Sequence, residues 1–318
     1  MVEVNSSTQN KTFNKKEENL LKRKKMIERF FEILFLILTV VSILSVILIC
    51  GFIFFRGVPA IIKIGPLNFL FGKTWKPTNN PPEFGILPMK LGSIYVTLGS
   101  VIIGVPIGVL TAIFMSYFCP KKLYKPLKTA LNLMAGIPSI VFGYFALMVL
   151  VPFFRSLNFG NGMNIFTASI LLGIMILPTV INLSESAISA VPKSFYRGAL
   201  ALGVSHEKAV FEVVVPAAKS GIFSSIILGI GRSIGETMAV IMVAGNQPRI
   251  PKGIFDGVRT MTMNVVTEMN YAAGLHLEAL IATGAVLFVF ILIINLCFNL
   301  VNKGERYWWK KRVEFLKF

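Results

Sequence analysis

Arg232 and Glu236 are the residues whose types and spacing most directly suggest chemistry. They stand four apart in Gly231-Arg232-Ser233-Ile234-Gly235-Glu236-Thr237, inside an apolar run over residues 221–245. On a continuous helix that spacing puts both on one face, within reach of an ion pair. An ionisable side chain at membrane depth costs at least about 2.5 kcal/mol on insertion scales, so it must face protein or an aqueous path. Two readings follow. Either Arg232 is a fixed cation on the route of an anion, with Glu236 holding its rotamer or exchanging partners, or the two form a permanent pair that only fixes packing. Thr237 closes the motif and joins them as a substrate-path candidate. Glu185, among Asn182, Ser184, Ser186 and Ser189, makes the end of another apolar run polar. It lines an exit path or, more plainly, is a helix end approaching water. Ser139, directly after Gly136-Ile137-Pro138, is a further candidate for a gate or path lining.

Other chemistries are poorly supplied. The chain has two His and a single Asp, which leaves little from which to build a histidine metal site or a Ser-His-Asp triad. Cys50, Cys119 and Cys297 are far apart and lie in or beside apolar stretches, the pattern of buried thiols and not of a zinc site or disulfide framework. No Gly-x4-Gly-Lys-Ser/Thr loop is present, so the chain cannot bind ATP by that device. No cofactor is expected on this chain, and covalent catalysis is not expected of it.

These residues must be positioned by membrane helices. Of 318 residues, 54% are hydrophobic and only 15% charged, against about a quarter charged in soluble domains. Mean hydropathy is +0.72. Six runs are long enough to cross a bilayer, over residues 33–55, 92–118, 129–154, 165–190, 221–245 and 276–301. The formal net charge of +17 sits in the gaps between them. Alternate gaps, starting with the N-terminal tail, hold 22 of the 32 Lys and Arg residues and the remaining gaps 9, with Arg232 inside a run. The positive-inside rule then puts both termini in the cytoplasm. The basic run Lys22-Arg23-Lys24-Lys25 reads as a topology signal touching anionic lipid and not as a nucleic-acid site. Trp308 and Trp309 beside Lys310, Lys311 and Arg312 read as an interfacial anchor.

The organisation expected is a basic tail over 1–32 (irregular over 1–16), a first anchor over 33–55, an outer loop over 56–91 too broken for regular structure, a helical core over 92–301 and a tail over 302–318. Pro106, Pro138 and Pro178 fall inside or at the start of spans beside small residues, which suits kinked, closely packed, movable helices. The loop 191–220 is expected to hold two short helices. Ser194 caps the first, Gly203 ends it and Ser205 caps the second, while Pro216 marks the approach to the fifth span. Such an element suits docking of a soluble partner, or lies on the membrane surface.

At this loop the sequence resembles the inner-membrane permeases of ABC importers, whose signature has the form Glu-Ala-Ala, three residues, Gly, nine residues, Ile-x-Leu-Pro. Here it reads Arg197-Gly198-Ala199, Gly203, Val213-x-Val215-Pro216, with Arg197 where that family has its acid. Phe84-Gly85-Ile86-Leu87-Pro88, Ala135-Gly136-Ile137-Pro138-Ser139 and the run from Gly231 to Val240 followed by Val243-Ala244-Gly245-Asn246 look like the PstC-type permease of high-affinity phosphate importers. The resemblance implies an all-α, six-span fold of the type I ABC importer permeases. It also implies a bacterial or archaeal cell membrane, a related PstA-type permease as partner, an ATPase dimer carrying ATP and Mg, and an extracytoplasmic phosphate-binding protein. Permeases for molybdate, sulfate or phosphonate are the neighbouring alternative; an ion-coupled secondary transporter and a non-transporting membrane sensor are more remote.

Overall fold

The computed structural model describes the backbone of residues 3–315 and the side chains of 23–297 and 300. The chain divides into two units, residues 1–55 and 56–318. The first unit is part of one continuous helix, α1 (Glu3–Ile64). The tail expected to be irregular is therefore helical from Glu3, because Lys15-Lys16-Glu17-Glu18 and Leu20-Leu21 are good helix formers that extend a helix already nucleated by the apolar run. From Ile33 to Ile49 its side chains are exposed, which is the expected state of lipid-facing Ile, Leu, Val and Phe.

In the second unit, α1 ends before α2 (Pro66–Phe71) and a two-stranded antiparallel hairpin, β1 (Trp75–Lys76) and β2 (Glu83–Phe84). The stretch after the first span is thus regular and not a broken loop. Its apolar residues explain the difference: Phe69, Trp75, Phe84 and Ile86 are buried with Met89, Met261, Ala279 and Leu280 in one core cluster.

Helix α3 (Leu87–Ile113) ends in a π-turn over Phe114–Phe118, followed by α4 (Lys121–Gly136). The third span comprises α5 (Ser139–Phe145), a π-segment over Ala146–Leu150 and α6 (Val151–Ser156). It therefore starts ten residues later than the expected 129. Pro138 disfavours helical backbone at Ile137, which is extended at φ −72, ψ 127, so α4 becomes a separate helix. The long α7 (Ile165–Ser189) follows, capped by Asn164 through the Thr167 N–H at 2.9 Å. The basic loop holds α8 (Lys193–Ala201) and α9 (His206–Lys208), which runs through a π-segment over Ala209–Val214 into α10 (Val215–Gly235). Then come α11 (Met238–Val243), α12 (Met261–Glu268) and α13 (Leu275–Phe315). Among the described residues six helical stretches are long and apolar enough to cross a membrane, three of them built from α and π pieces. Trp308, Trp309 and the basic residues after them lie outside the described side chains, as does Lys22.

Helices α3, α7 and α10 form the centre. Glycines allow the approach: a Cβ on Gly104 would lie 2.6 Å from the Gly173 carbonyl oxygen, and one on Gly108 would lie 2.8 Å from Val180. Hydroxyl pairs then pin α10. Ser233 Oγ lies 2.6 Å from Ser100 on α3, and Ser225 Oγ lies 2.7 Å from Ser184 on α7. All four serines are buried, so each pair satisfies its own polar groups.

Candidate functional site

Ser225 and Ser233 hold one face of α10 inward, and Ala218, Ile222, Gly229, Ile230 and Ile234 share that burial. Ser224, Leu228, Arg232 and Gly235 are left on the exposed face. Among the described residues the Arg232 guanidinium makes one hydrogen bond, from Nη1 to Thr179 Oγ1 on α7 at 3.3 Å. Thr179 directly follows Pro178, a position noted in the sequence for its proline and not for its hydroxyl.

The expected Arg232–Glu236 pair is not formed. Helix α10 stops at Gly235, and Glu236 is extended at φ −69, ψ 131. Its carboxylate accepts from the Ala239 N–H at 3.3 Å, while its carbonyl accepts from Thr262 Oγ1 at 3.2 Å. Two glycines weaken the helix at Gly231 and Gly235, and the local carboxylate-to-backbone bond competes with its continuation. Thr237 donates to the Gly235 carbonyl oxygen at 3.2 Å, within the break. The fifth span is therefore interrupted, not continuous to 245. Its second piece, α11, packs on α5, where a Cβ on Gly143 would lie 2.9 Å from Ala239 Cα. Ser139 opens α5 and is half-buried, so the two interrupted spans share a contact.

Glu185 is 5% exposed and braced by α4: Lys128 Nζ donates to Oε2 and to Asn182 Oδ1, and Tyr124 Oη donates to Oε1. That hydrogen bond, followed by burial, pushes the Tyr124 phenol above its ordinary range. Within this chain Glu185 is a paired buried carboxylate, not a helix end approaching water.

In the basic loop, Arg197 and Gly198 are exposed on α8 while Ala199 is buried. Gly203 ends the element at φ +80, as expected, and Ser205 caps α9 through the Lys208 N–H. Ser194 does not cap; α8 starts two residues earlier than that cap implies, after Pro192, and its N-cap makes no side-chain hydrogen bond. Pro216 sits in the first turn of α10. Phe195, Leu200, Leu202 and Phe211 are exposed apolar side chains on the same loop, Leu202 to 86%.

A second polar cluster had no signal in the sequence, because its members are scattered along the chain. Glu268, at the end of α12, accepts from Trp75 Nε1 at 2.9 Å, contacts His276 Nε2 at 2.8 Å and is paired with Arg259. Arg259 also donates to Asn246 Oδ1 at 2.7 Å and to Asn264 Oδ1 at 3.0 Å. The cluster thereby ties β1, the segment after α11, α12 and α13 together. Burial alone would raise the Glu268 carboxyl, but the Trp75, His276 and Arg259 hydrogen bonds and the Arg259 charge outweigh it and hold it below the usual carboxylate range. Such a carboxylate contributes stability above its unfolded value of about 4.5 and loses it as pH falls through the lower folded value. The purified protein is therefore expected to lose thermal stability on acidification below about pH 4.5. Glu268→Ala, which leaves Arg259 without its buried partner, should cost about 3 kcal/mol and flatten that part of a melting-temperature profile.

A family profile described as the binding-protein-dependent transport system inner membrane component matches residues 104–307. The chain is 37% identical over 239 residues to a probable ABC transporter permease protein, YqgH, of Bacillus subtilis, covering 73% of this chain and 77% of that one. It is 32% identical to the phosphate transport system permease protein PstC of Mesorhizobium japonicum, covering 71% and 75%. A solved inward-facing structure of the MetNI methionine ABC transporter superposes with a TM-score of 0.55 at 16% identity, covering 69% of this chain and 95% of that one.

Proposed function

This chain belongs to the family of binding-protein-dependent transport system inner membrane components, and on that footing we propose that it forms half of the membrane path of an ATP-driven phosphate importer. The observation that carries the reading is Arg232: a guanidinium in the last turn of α10, beside the break in the fifth span and on the exposed face, with one neutral hydroxyl as its hydrogen-bond partner among the described residues. A cation so placed requires a water-filled path or a neighbouring subunit against it. Its planar fork suits bidentate, weakly held contact with a phosphate oxyanion; Thr179 on α7 supplies a hydroxyl beside it, and Thr237 supplies another in the break that follows α10. The name of the Mesorhizobium relative supports phosphate over other oxyanions.

The partners that complete the machine are a related PstA-type permease facing α10, an ATPase dimer holding ATP and Mg, and an external phosphate-binding protein. The chain itself performs no covalent chemistry. Both termini and α8 lie in the cytoplasm, by the charge asymmetry of the gaps, and the Trp75–Glu268 cluster lies outside. Helix α8 then docks the ATPase through Arg197, Gly198 and the exposed apolar residues beside them.

The test is phosphate uptake in cells lacking their own high-affinity importer, with this chain expressed beside its three partner components. ATP-dependent uptake that excess sulfate or molybdate does not suppress supports the reading; assembly without uptake overturns it. Gly198 gives a second test. A Cβ there meets nothing within 4 Å in the chain, so Gly198→Trp should leave the chain folded yet reduce co-purification of the ATPase at least tenfold. Undiminished co-purification would place the dock elsewhere.

A further inference from the structure

Helix α8 is joined by backbone to α7 and, through α9, to α10. It has no such connection to α3, which lies far upstream in sequence, so direct contact between α8 and α3 is made by side chains. The side chains that make this contact form a compact aromatic group. Tyr196 Oη on α8 lies 2.7 Å from His206 Nδ1 at the start of α9, which closes the short loop upon itself. The π-turn at the end of α3 packs against this closed pair from the other side. The Tyr117 ring is 5.2 Å from Tyr196 between centroids, and the Phe118 ring is 4.7 Å from His206. The Phe211 ring on the following π-segment lies 6.3 Å from Phe118, tilted by 35°.

We propose that Tyr196 and His206 form a latch that makes α8 move as one piece with the π-turn of α3, so that they act as positioning residues for transport. Three physical points support it. The hydrogen bond spans the turn at Gly203, where φ is +80 and nothing lies within 4 Å of a Cβ. The π-turn is closed by the Cys119 N–H to the Phe114 carbonyl at 2.8 Å, so Tyr117 and Phe118 are carried on hydrogen-bonded backbone continuous with α3. Beyond the turn, α3 is stiff and is tied to α10 by Ser100 and Ser233, the latter adjacent to Arg232. Displacement of α8 thus has a continuous packed route to the backbone that carries Arg232. The inference rests on the proposed docking of an ATPase at α8 and adds the residues that transmit its motion.

The experiment uses the complete assembly in proteoliposomes, reading ATPase retention, ATP hydrolysis stimulated by loaded binding protein, and phosphate taken up per ATP. Tyr196→Phe removes one hydroxyl and keeps the ring contact with Tyr117. His206→Ala removes both the ring and the acceptor, while His206→Asn keeps an acceptor near the position of Nδ1. Tyr196→Phe and His206→Ala should retain the ATPase and hydrolyse ATP within twofold of the unaltered assembly, yet take up five- to tenfold less phosphate per ATP. His206→Asn should recover most of that loss, and Tyr196→Phe combined with His206→Ala should be no worse than the more impaired single variant. Unchanged uptake per ATP in both single variants, or independent losses that multiply in the pair, overturns the latch.

Amide hydrogen exchange of the chain alone separates this from failure of the functional reading. The latch predicts exchange over 193–202 faster by up to about tenfold in Tyr196→Phe, the scale of one hydrogen bond, with α7 unchanged. Should the unaltered assembly neither hold an ATPase nor transport, while exchange over 193–202 still accelerates, the docking reading fails and the mechanical contact stands. No acceleration removes the contact as well.

Discussion

Arg232→Ala is expected to reduce phosphate uptake by about a hundredfold without lowering the amount of folded chain in the membrane. Two charge-assisted hydrogen bonds to an oxyanion are together worth about 3 kcal/mol or more, and about 2.7 kcal/mol already corresponds to a hundredfold change. The fold loses little by the same substitution. Arg232 is exposed, has no ion pair among the described residues and gives up a single 3.3 Å bond to Thr179, so neither a cavity nor an orphaned charge remains. Arg232→Lys keeps the charge without the fork and should fall between, at about a tenfold loss. Glu236→Gln should retain at least a third of the activity, because its carbonyl oxygen can still accept from Ala239 and no Arg232 pair exists to be broken. Uptake by Arg232→Ala at half the unaltered rate, at equal abundance, would reduce this residue to packing. A collapse of Glu236→Gln would restore a direct role for its charge.

Gly104→Leu is expected to be strongly damaging to the helical core. The added Cβ would sit 2.6 Å from a backbone oxygen, Gly173 O, and 2.8 Å from two Ile176 side-chain carbons. A side chain can rotate away, but the backbone of α7 can yield only by moving the helix, and Gly108 against Val180 closes the same seam. Overpacking of an ordinary core costs about 1–3 kcal/mol, and contact against backbone puts this case at or above the upper end. The readout is the melting temperature in detergent together with abundance in the membrane. Gly284→Ala on α13 is the matched control. Nothing lies within 4 Å of its Cβ, so the gain in helix propensity should leave stability equal or higher by up to about 1 kcal/mol. A Gly104→Leu protein that melts with the unaltered one would mean that α3 and α7 pack less closely than described.

The membrane class, six candidate crossings and the family were all legible along the chain. Each depends on local composition or on a short contiguous motif. The end of α8 at Gly203 and the cap at Ser205 were legible for the same reason, since a positive φ and an N-cap hydroxyl are properties of single positions. The Arg232–Glu236 pair was misread because i,i+4 spacing implies contact only on an unbroken helix. The break at Glu236 depends on a backbone N–H three residues ahead and on Thr262, twenty-six residues ahead. Glu185 was misread because its partners, Tyr124 and Lys128, come from a helix more than fifty residues away.

The sequence by itself determined what the chain is made to cross, where it turns and which cation falls inside an apolar run, because hydropathy and breakers act over one helical turn or one bilayer thickness. Only the tertiary structure decided which way that cation faces. Two buried serine pairs, Ser100 with Ser233 and Ser184 with Ser225, lock the rotation of α10 and leave Arg232 outward. It also decided that Trp75, Arg259, Glu268 and His276 form one buried cluster. Helix rotation and long-range ion pairing are set by side chains that meet only once the helices have packed, and no window along the chain contains both partners.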